Sequence, residues 1–249
     1  MKNNLEHYKG YELLIARLSD LIYQSEKYHK TMATNFLEEN EVAIALKYLG
    51  KKYNYRLDGG HPKAIRNKII FYVEDDDIEA CVCLRSRINT HFVKIEHRDV
   101  LGALLGLNIE KEMIGDIFVL DEEIIIYADA SIADFICMNL VQVNRLKTSF
   151  VISEEIYEPE IKYEKMILTI SNERIDNIVA SICKINREQS QKMIRAKLVS
   201  INHETIEDCS KLCNNNCTIS IRRYGRYIYV GPIKKTKKDR LLVEVLKYV

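Results

Sequence analysis

The sequence predicts an α+β fold in three successive parts, and its apolar patterns support this division. Helical spacing without proline dominates the start, strand-like and helix-like segments alternate in the middle, and two short helices precede several short strands at the end. We therefore predict an N-terminal mostly helical domain (1–68), a central α+β domain (69–160) and a C-terminal domain (165–249). A chain of 249 residues has room for such domains.

Two helices are predicted in the N-terminal part. Apolar residues recur near one face over 3–28, and they keep the i, i+3, i+4, i+7 spacing over 38–49. Gly50 then stands at the position of a C-terminal cap. The run of glycines, histidine and proline at 59–62 predicts a turn.

The central part alternates between strand and helix signals, with acidic turns at 75–77 and 121–123. The predicted elements are strands at 69–73, 80–84, 117–120 and 124–127 and helices at 99–105 and 131–143. Residues 153–162 are rich in glutamate and contain Pro159, so we predict that they form a linker.

The last third begins with two short helices. Ile175, Ile178, Val179 and Ile182 follow one helical face, and Asn186 is a typical N-cap for a second helix over 187–196. Alternating apolar residues then predict a series of strands at 199–201, 218–222, 227–230 and 241–245.

Charge is unevenly distributed along the chain. The net charge is only +1, but residues 69–171 carry 9 Lys+Arg against 20 Asp+Glu, and residues 172–249 carry 16 against 8. A basic segment of this kind is typical of a surface that meets a polyanion. Charge alone leaves open the alternative that the acidic middle pairs with the basic end.

The sequence also predicts a cytoplasmic protein without membrane insertion. No apolar run approaches the roughly 18 residues of a membrane-spanning helix, and residues 1–7 lack the apolar core of a signal peptide. The seven cysteines are expected to be reduced thiols.

Several blocks in the last third resemble the S4 RNA-binding domain, in the order and spacing of that family. Arg174-Ile175-Asp176 resembles its opening Arg-Leu-Asp, 186–195 its second helix, 199–202 the following strand and 219–227 the closing hairpin. The resemblance covers about residues 172–231. It implies a module that binds structured RNA through phosphates, 2′-hydroxyls and shape.

This chain departs from the S4 pattern at three turn positions. The pattern usually has glycine where Lys197, His203 and Asn216 stand. Asparagine reaches positive φ at modest cost, whereas Lys197 and His203 are expected to need another backbone solution.

Segments on both sides of this part narrow the resemblance to the YlmH family, a bacterial group of S4-domain proteins. The block 97–107, its continuation at Lys111 and 114–117, and the ending 236–240 are similar to that family. The resemblance implies an N-terminal helical part, a central domain similar to an RNA-recognition fold and a C-terminal S4 domain of the αL type. It further implies a non-enzymatic RNA-binding protein of ribosome-associated quality control. Its partners would be rRNA, tRNA and the large ribosomal subunit, with cell-division proteins as further partners.

Basic residues on this S4-like frame are the predicted RNA contacts. They are Arg174, Arg187, Lys192, Arg195, Lys197, Asn202, Arg222, Arg223 and Arg226. Secondary contacts are predicted at the few cations of the acidic middle, Arg85, Arg87 and Arg98. A mobile basic run is predicted at 234–240. No catalytic residue, cofactor or metal ligand is predicted.

Three further motifs receive structural interpretations. Arg56-Leu57-Asp58 resembles the motif of pseudouridine synthases, whose aspartate is the nucleophile, but the rest of that motif is missing and a turn aspartate is preferred. His97-Arg98-Asp99 resembles a kinase catalytic loop without its asparagine, so Asp99 is expected at a helix start. Zinc-site spacing is absent from the trio Cys209, Cys213 and Cys217.

Two alternatives remain open beside the RNA-binding hypothesis. One is an RNA-modifying enzyme, similar to a pseudouridine synthase, with its catalytic part in residues 1–170; it should show convergent polar groups in a deep pocket. The other is a protein adaptor linked to cell division, which should show an exposed apolar patch on the central domain.

Overall fold

The computed structural model describes residues 8, 10–72, 78–89, 94–160 and 162–248, and it has the predicted α+β character. The chain divides into two compact units, residues 1–159 and 160–249, called here the first and second unit. Among the described residues, no helix has both the length and the apolar character needed to cross a membrane.

The N-terminal part of the first unit consists of two helices and a three-stranded antiparallel sheet of order β1-β3-β2. Its elements are α1 (Glu12–Tyr28), β1 (Met32–Ala33), α2 (Glu39–Leu49), β2 (Tyr55–Asp58) and β3 (Lys68–Phe71). The prediction of a mostly helical part was incomplete, because strands of two to four residues are too short to show a clear alternation. β3 also crosses the predicted boundary at residue 68.

Local signals explain where these helices begin and end. α1 starts at Glu12, later than the predicted residue 3, because Gly10 has a φ of 90° that no helix allows; residues 1–7 and 9 lie outside the described part. α2 starts with a capping box in which Glu38 and Glu41 bond each other's backbone. Gly50 follows it at the predicted cap.

The central part of the first unit is an antiparallel sheet of order β5-β6-β4-β9. Its elements are β4 (Cys81–Arg87), α3 (His97–Gly106), β5 (Ile114–Val119), β6 (Glu123–Asp129), α4 (Ala133–Asn139), β7 (Gln142–Val143), β8 (Leu146–Lys147) and β9 (Val151–Ser153). The β-α-β-β-α-β order with these pairings is the split βαβ topology. α3 and α4 bury their apolar faces with one side of the sheet around Leu84, Leu104 and Ile126.

One prediction for this part, the length of its second helix, needs correction, and another lies partly outside the described residues. The helix predicted over 131–143 is shorter, because Thr148 donates from its hydroxyl to the Leu140 carbonyl and from its backbone to Val141, which turns the chain into the β7–β8 hairpin. The end of the predicted strand 69–73 and the acidic turn 75–77 lie outside the described residues.

The second unit is a six-stranded antiparallel sheet of order β10-β15-β14-β13-β11-β12, joined to two helices. Its elements are β10 (Tyr163–Ile170), α5 (Ile175–Cys183), α6 (Arg187–Arg195), β11 (Val199–Ile201), β12 (Glu204–Thr205), β13 (Cys217–Ile221), β14 (Gly225–Lys235) and β15 (Leu241–Tyr248). α5 and α6 lie close to their predicted positions. Ile178, Ile219 and Tyr229 are among the buried residues of the core.

Two features of the second unit differ from prediction. β10 was not predicted, since most of its side chains are exposed and its pairing partner β15 lies about 75 residues later in the chain. The basic run 234–240 is not a mobile segment but the end of the β14–β15 hairpin. There the Thr236 N–H donates to the Arg240 carbonyl at 2.7 Å.

The three departures from the S4 pattern need no other backbone solution. Lys197, His203 and Asn216 have φ values of 59°, 67° and 61°, so each adopts the left-handed conformation that a glycine would favour. The expectation for Lys197 and His203 was therefore wrong. A non-glycine residue in this conformation costs of the order of 1 kcal/mol, which a packed sheet can offset.

Candidate nucleic-acid interface

A fully buried aspartate joins the two helices of the second unit. The Asp176 carboxylate accepts hydrogen bonds from Arg174 Nη2 at 3.0 Å, Arg187 Nε at 2.9 Å and Gln191 Nε2 at 2.9 Å. The Ser190 hydroxyl donates to the backbone carbonyl of Asp176 at 2.8 Å. Asp176 therefore fixes α5 against α6 and holds two arginines in place.

The charge of this aspartate is maintained by its donors. Burial alone would raise the pKa of Asp176, but hydrogen bonds from Gln191, Arg174 and Arg187 outweigh burial and lower the pKa below its usual value. Asp176 is therefore ionised at neutral pH and compensates one of the two arginine charges.

Arg174 and Arg187 differ in how many of their guanidinium nitrogens remain available to a ligand. Arg174 directs both Nε and Nη2 at Asp176, and its side chain is 32% exposed. Arg187 uses only Nε, and its side chain is 50% exposed, so both terminal nitrogens lie outside this interaction. Arg187 is also the first residue of α6, where backbone N–H groups favour an anion. Of the two, Arg187 is the better placed to contact a phosphate.

Cations at the other end of α6 are exposed. Arg195 is the last residue of the helix, and Lys197 Nζ lies 3.0 Å from Glu207 in a surface ion pair. Lys192 forms a similar pair with Glu188 at 2.9 Å. Exposed pairs of this kind are worth about 0–1 kcal/mol, so a phosphate could replace the carboxylates at little cost.

The turn between β13 and β14 adds more arginines at this end. The backbone N–H of Arg222 donates to the carbonyl of Leu198 at 2.9 Å, which fixes the turn beside the end of α6. Arg222 and Arg223 are exposed, and the Arg226 guanidinium lies over the Tyr248 ring at 5.6 Å from its centre. Arg226 alternates along β14 with the buried Tyr227 and Tyr229, so its side chain lies on the other face of the sheet. We call the group at the end of α6 the arginine cluster: Arg195, Lys197, Arg222 and Arg223.

Asn202 has a structural role in the second unit. It shares the two-residue turn between β11 and β12 with His203 and has a φ of 47°. Its side-chain oxygen accepts a hydrogen bond from the Thr218 N–H at 2.8 Å, and its own N–H donates to the Thr218 carbonyl. The side chain thus ties the turn to β13, a role that its sequence position did not reveal.

The predicted secondary contacts occupy different environments in the first unit. Arg85 Nη1 lies 2.8 Å from Glu155 and 3.5 Å from Glu123, and its side chain is mostly buried. Arg87 is exposed at the end of β4. Arg98 is exposed at the start of α3 and pairs with Glu96 at 3.1 Å. Arg85 is therefore committed to neighbouring carboxylates, and only Arg87 and Arg98 face solvent.

Aromatic residues on the sheet face away from α3 and α4 are covered by the chain itself. Tyr127 is fully buried, and its hydroxyl bonds the backbone of Tyr157. The His61 ring lies 4.6 Å from the Tyr127 ring, and Phe118 contacts the Tyr157 ring at 5.0 Å. In RNA-recognition domains, aromatic residues on such a face stack on bases. Here they form a small core instead.

Two buried polar pairs were missed by sequence reasoning. Asp116 lies 3.0 Å from His61 Nε2 and accepts backbone hydrogen bonds from Ile65 and Arg66. Lys68 is buried and pairs with Asp129 on β6. Nothing in the local sequence joins partners separated by 55 and 61 positions, although the pattern Ile-Gly-Asp-Ile marks Asp116 as an unusual charge in an apolar strand.

Asp58 and Asp99 have the structural roles that the sequence predicted. Asp58 Oδ1 accepts from the Gly60 N–H at 2.9 Å, which is a turn contact. Asp99 accepts from the Glu96 N–H at 2.9 Å within the capping box of α3. Both carboxylates therefore accept hydrogen bonds from backbone N–H groups.

The cysteine group shows no metal-site geometry. Cys209 Sγ contacts the Gln191 carbonyl. Cys213 and Cys217 are free thiols joined by a hydrogen bond, and this hydrogen bond together with burial raises the pKa of the Cys213 thiol. Within the part of the chain that the structure describes, no three His, Cys, Asp or Glu side chains converge to hold a metal ion.

A groove with a volume of about 970 Å³ lies in the first unit, between α1 and the segments 33–41 and 110–112. Two of its charged residues bond Lys111: Glu38 pairs with the Lys111 side chain at 2.6 Å, and Arg66 donates to the Lys111 carbonyl at 2.8 Å. Asp58 does not line this groove.

Fold and site together define a two-unit α+β protein with a split βαβ domain followed by a basic, arginine-bearing module. Residues 75–156 match the family model described as "Putative RNA-binding domain in YlmH". A relative from Bacillus subtilis (strain 168), "Ribosome-associated protein quality control protein P2", is 27% identical over 223 residues, which is 86% of each chain. These similarities confirm the resemblance to the YlmH family that the motifs indicate.

A solved structure agrees at the level of the fold. "Cell division protein ylmH from Streptococcus pneumoniae" has a TM-score of 0.50 and 16% sequence identity, and the match covers 59% of this chain and 94% of that one. At this identity the likeness shows the fold alone.

Proposed function

We propose that this protein is a non-enzymatic RNA-binding protein that acts on the ribosome in ribosome-associated quality control. Residues 165–249 would serve as an S4-type module that binds structured rRNA or tRNA on the large ribosomal subunit. The name of the Bacillus relative supports the ribosomal part of this proposal, and the family match at 75–156 supports RNA binding by the protein. The single observation that carries it is the arginine cluster beside the α5–α6 pair.

This surface suits a phosphate backbone better than a base-specific site. Its cations are mostly exposed guanidiniums, which bind phosphate with two parallel hydrogen bonds. Arg187 is held in a fixed orientation by Asp176, so less conformational entropy is lost when it binds. In the first unit, by contrast, the aromatic sheet face is covered. We therefore expect the second unit to supply most of the RNA affinity.

The test is RNA binding by the full chain with Arg195→Gln and Arg222→Gln combined. Neutralising one phosphate contact costs on the order of 1 kcal/mol and removes about one counterion from the salt dependence. The double variant should therefore bind ribosomal RNA at least about tenfold more weakly. These two residues are preferred to Arg187, because replacing Arg187 would also disturb Asp176.

The matched control replaces two exposed arginines of the first unit, Arg17 and Arg145, with glutamine. It removes the same charge and should leave affinity within about twofold, since general charge effects are screened beyond about 10 Å. Equal weakening in both double variants, or affinity that does not change with salt, would place the RNA site elsewhere. Arg87 and Arg98 would then be the next candidates.

The adaptor alternative has one observation in its favour. Phe135, Met138 and Val141, on or just after α4, are 46%, 76% and 59% exposed. Such a group on the central part is the patch expected of a protein-binding surface. A Met138→Asp variant that loses ribosome co-sedimentation but keeps affinity for free RNA would support a protein contact there.

A further inference from the structure

The β14–β15 hairpin extends past β13 on one side, whereas on its other side β10 pairs with β15 as far as Leu241. β13 pairs with β14 only from Gly225 to Tyr229, whereas β14 continues to Lys235 and pairs there with the start of β15. We call residues 231–241 the basic arm. Its turn is closed by the Asp239 N–H to Thr236 carbonyl bond at 3.0 Å and by the Thr236 hydroxyl, which accepts from the Arg240 N–H.

The arm bends where it leaves β13. The register shifts between Tyr229 and Gly231 and again between Pro232 and Lys234, and such bulges bend and twist a strand. Gly231 has a φ of 132°, and a Cβ there would lie 2.7 Å from the Asn215 side chain. A glycine is therefore required at the point where the strand passes Asn215.

Positive charge is concentrated at the end of the arm. Five exposed cations and one carboxylate lie within seven residues: Lys234, Lys235, Lys237, Lys238, Arg240 and Asp239. The structure shows one ion pair for this group, between Lys235 and Asp239 at 3.3 Å, counted over the described residues. Edge-strand lysines also deter unwanted strand pairing. That role does not account for Lys237, Lys238 and Arg240, which lie in the turn.

The arm and the arginine cluster mark opposite ends of one strand. The turn with Arg222 and Arg223 precedes Gly225, the first residue of β14, whereas the charged end of the arm begins at Lys234. At 3.3 Å per residue the two groups are therefore separated by about 30 Å. Two phosphate-binding points at such a distance suit an extended, structured RNA rather than a small anion.

We propose that the basic arm is a second RNA contact, which binds phosphates of the same RNA molecule that the arginine cluster holds. This inference rests on the proposed function and adds a length requirement to it. An RNA stem long enough to reach both points gains an intramolecular second contact, whereas a short stem engages one point at a time.

The experiment compares two RNA stem-loops by fluorescence anisotropy over a range of salt concentrations, with the full chain. One stem has about 16 base pairs, the span that double-stranded RNA-binding domains contact, and the other has about six. The arm variant carries Lys234→Gln, Lys237→Gln and Lys238→Gln. The control variant removes three charges elsewhere in the second unit through Lys162→Gln, Lys165→Gln and Lys184→Gln.

The arm variant should bind the long stem at least about tenfold more weakly than the unmodified protein, with a salt dependence lower by about two counterions. Its affinity for the short stem should change less than about twofold, and the control variant should match the unmodified protein on both stems. An arm variant that keeps its long-stem affinity and salt dependence, or that weakens equally on both stems, would overturn the second contact. If the unmodified protein bound neither stem measurably, the proposed function itself would be overturned instead.

Discussion

At the scale of single residues, Asp176 decides how the basic helix pair presents its charge. A buried carboxylate with three side-chain donors is costly to disturb, because its removal leaves two arginines without their shared partner. The arginines themselves are partly exposed and can be rehydrated, which limits the loss. Under the proposed function, Asp176 is therefore a positioning residue whose effect on RNA binding would pass through Arg187.

Replacing Asp176 with asparagine should lower the free energy of unfolding of the second unit by about 2–4 kcal/mol, less than the full cost of breaking a buried pair. Circular dichroism with urea as denaturant would measure it. Asp208→Asn is the matched control, since its carboxylate is exposed and accepts hydrogen bonds from Ser210; its loss should be clearly smaller than that of Asp176→Asn. Equal losses in both variants would contradict the role given to Asp176.

The same aspartate predicts a direction for the pH dependence. Its pKa is lowered in the folded protein, so the folded state keeps the carboxylate ionised where the unfolded chain already binds a proton. The contribution of Asp176 to the free energy of unfolding is therefore complete above the ordinary aspartate pKa of about 4, and it is lost as the pH falls below that value. Urea midpoints measured between pH 7 and pH 3 should fall more steeply for the unmodified protein than for Asp176→Asn. Parallel curves would show that Asp176 titrates alike in both states.

At the scale of elements, Gly231 controls the course of the basic arm. Gly231→Ala places a Cβ at 2.7 Å from Asn215 in a backbone conformation that L-residues rarely adopt. The expected loss of stability is about 1–3 kcal/mol by thermal denaturation. The double variant Gly231→Ala with Asn215→Gly should recover part of this loss, because the steric contact is removed while the backbone strain remains. No recovery would mean that backbone strain accounts for the whole effect.

Sequence patterns predicted the elements whose signal is local. α2 has an apolar face followed by Gly50, α5 has an apolar face, and α6 has Asn186 as its N-cap. The structure places α2 and α6 within one residue of their predicted bounds. β10 and the covered sheet face depend on partners far along the chain. No local pattern shows that Tyr157 and His61 will pack against Tyr127 and cover it. The S4 resemblance named the basic residues of the candidate interface. It could not show that Arg174 and Arg187 bond Asp176 while other arginines gather at the opposite end of α6.

At the scale of the whole molecule, charge follows the division into units. Residues 1–159 carry 19 Lys+Arg against 26 Asp+Glu, and residues 160–249 carry 18 against 10. Long-range repulsion between RNA and the acidic first unit would oppose binding there and favour approach through the second unit. Raising the salt concentration should weaken both the repulsion of RNA by the first unit and its attraction to the second.

The boundary between the units is expected to be the first site of proteolysis. The end of the first unit is tied down, because Tyr157 packs on Phe118 and Lys63 pairs with Glu158 at 2.9 Å and donates to the Pro159 carbonyl at 3.3 Å. Glu160 follows these contacts, is exposed, and precedes the start of β10 at Tyr163. A protease that cuts after glutamate should therefore cleave first after Glu160, since cleavage needs an exposed backbone with few contacts.

The released fragment should begin at residue 161 and bind to a cation-exchange column, whereas the acidic fragment should not. Mass spectrometry of early time points would identify the cut, and Glu160→Gln should delay it without changing later cleavage. A separate prediction follows for Lys63→Ala, which frees Glu158 and Pro159 and should add cleavage after Glu158. First cuts within 175–230 would contradict the division, because they would show that the second unit opens before the boundary does.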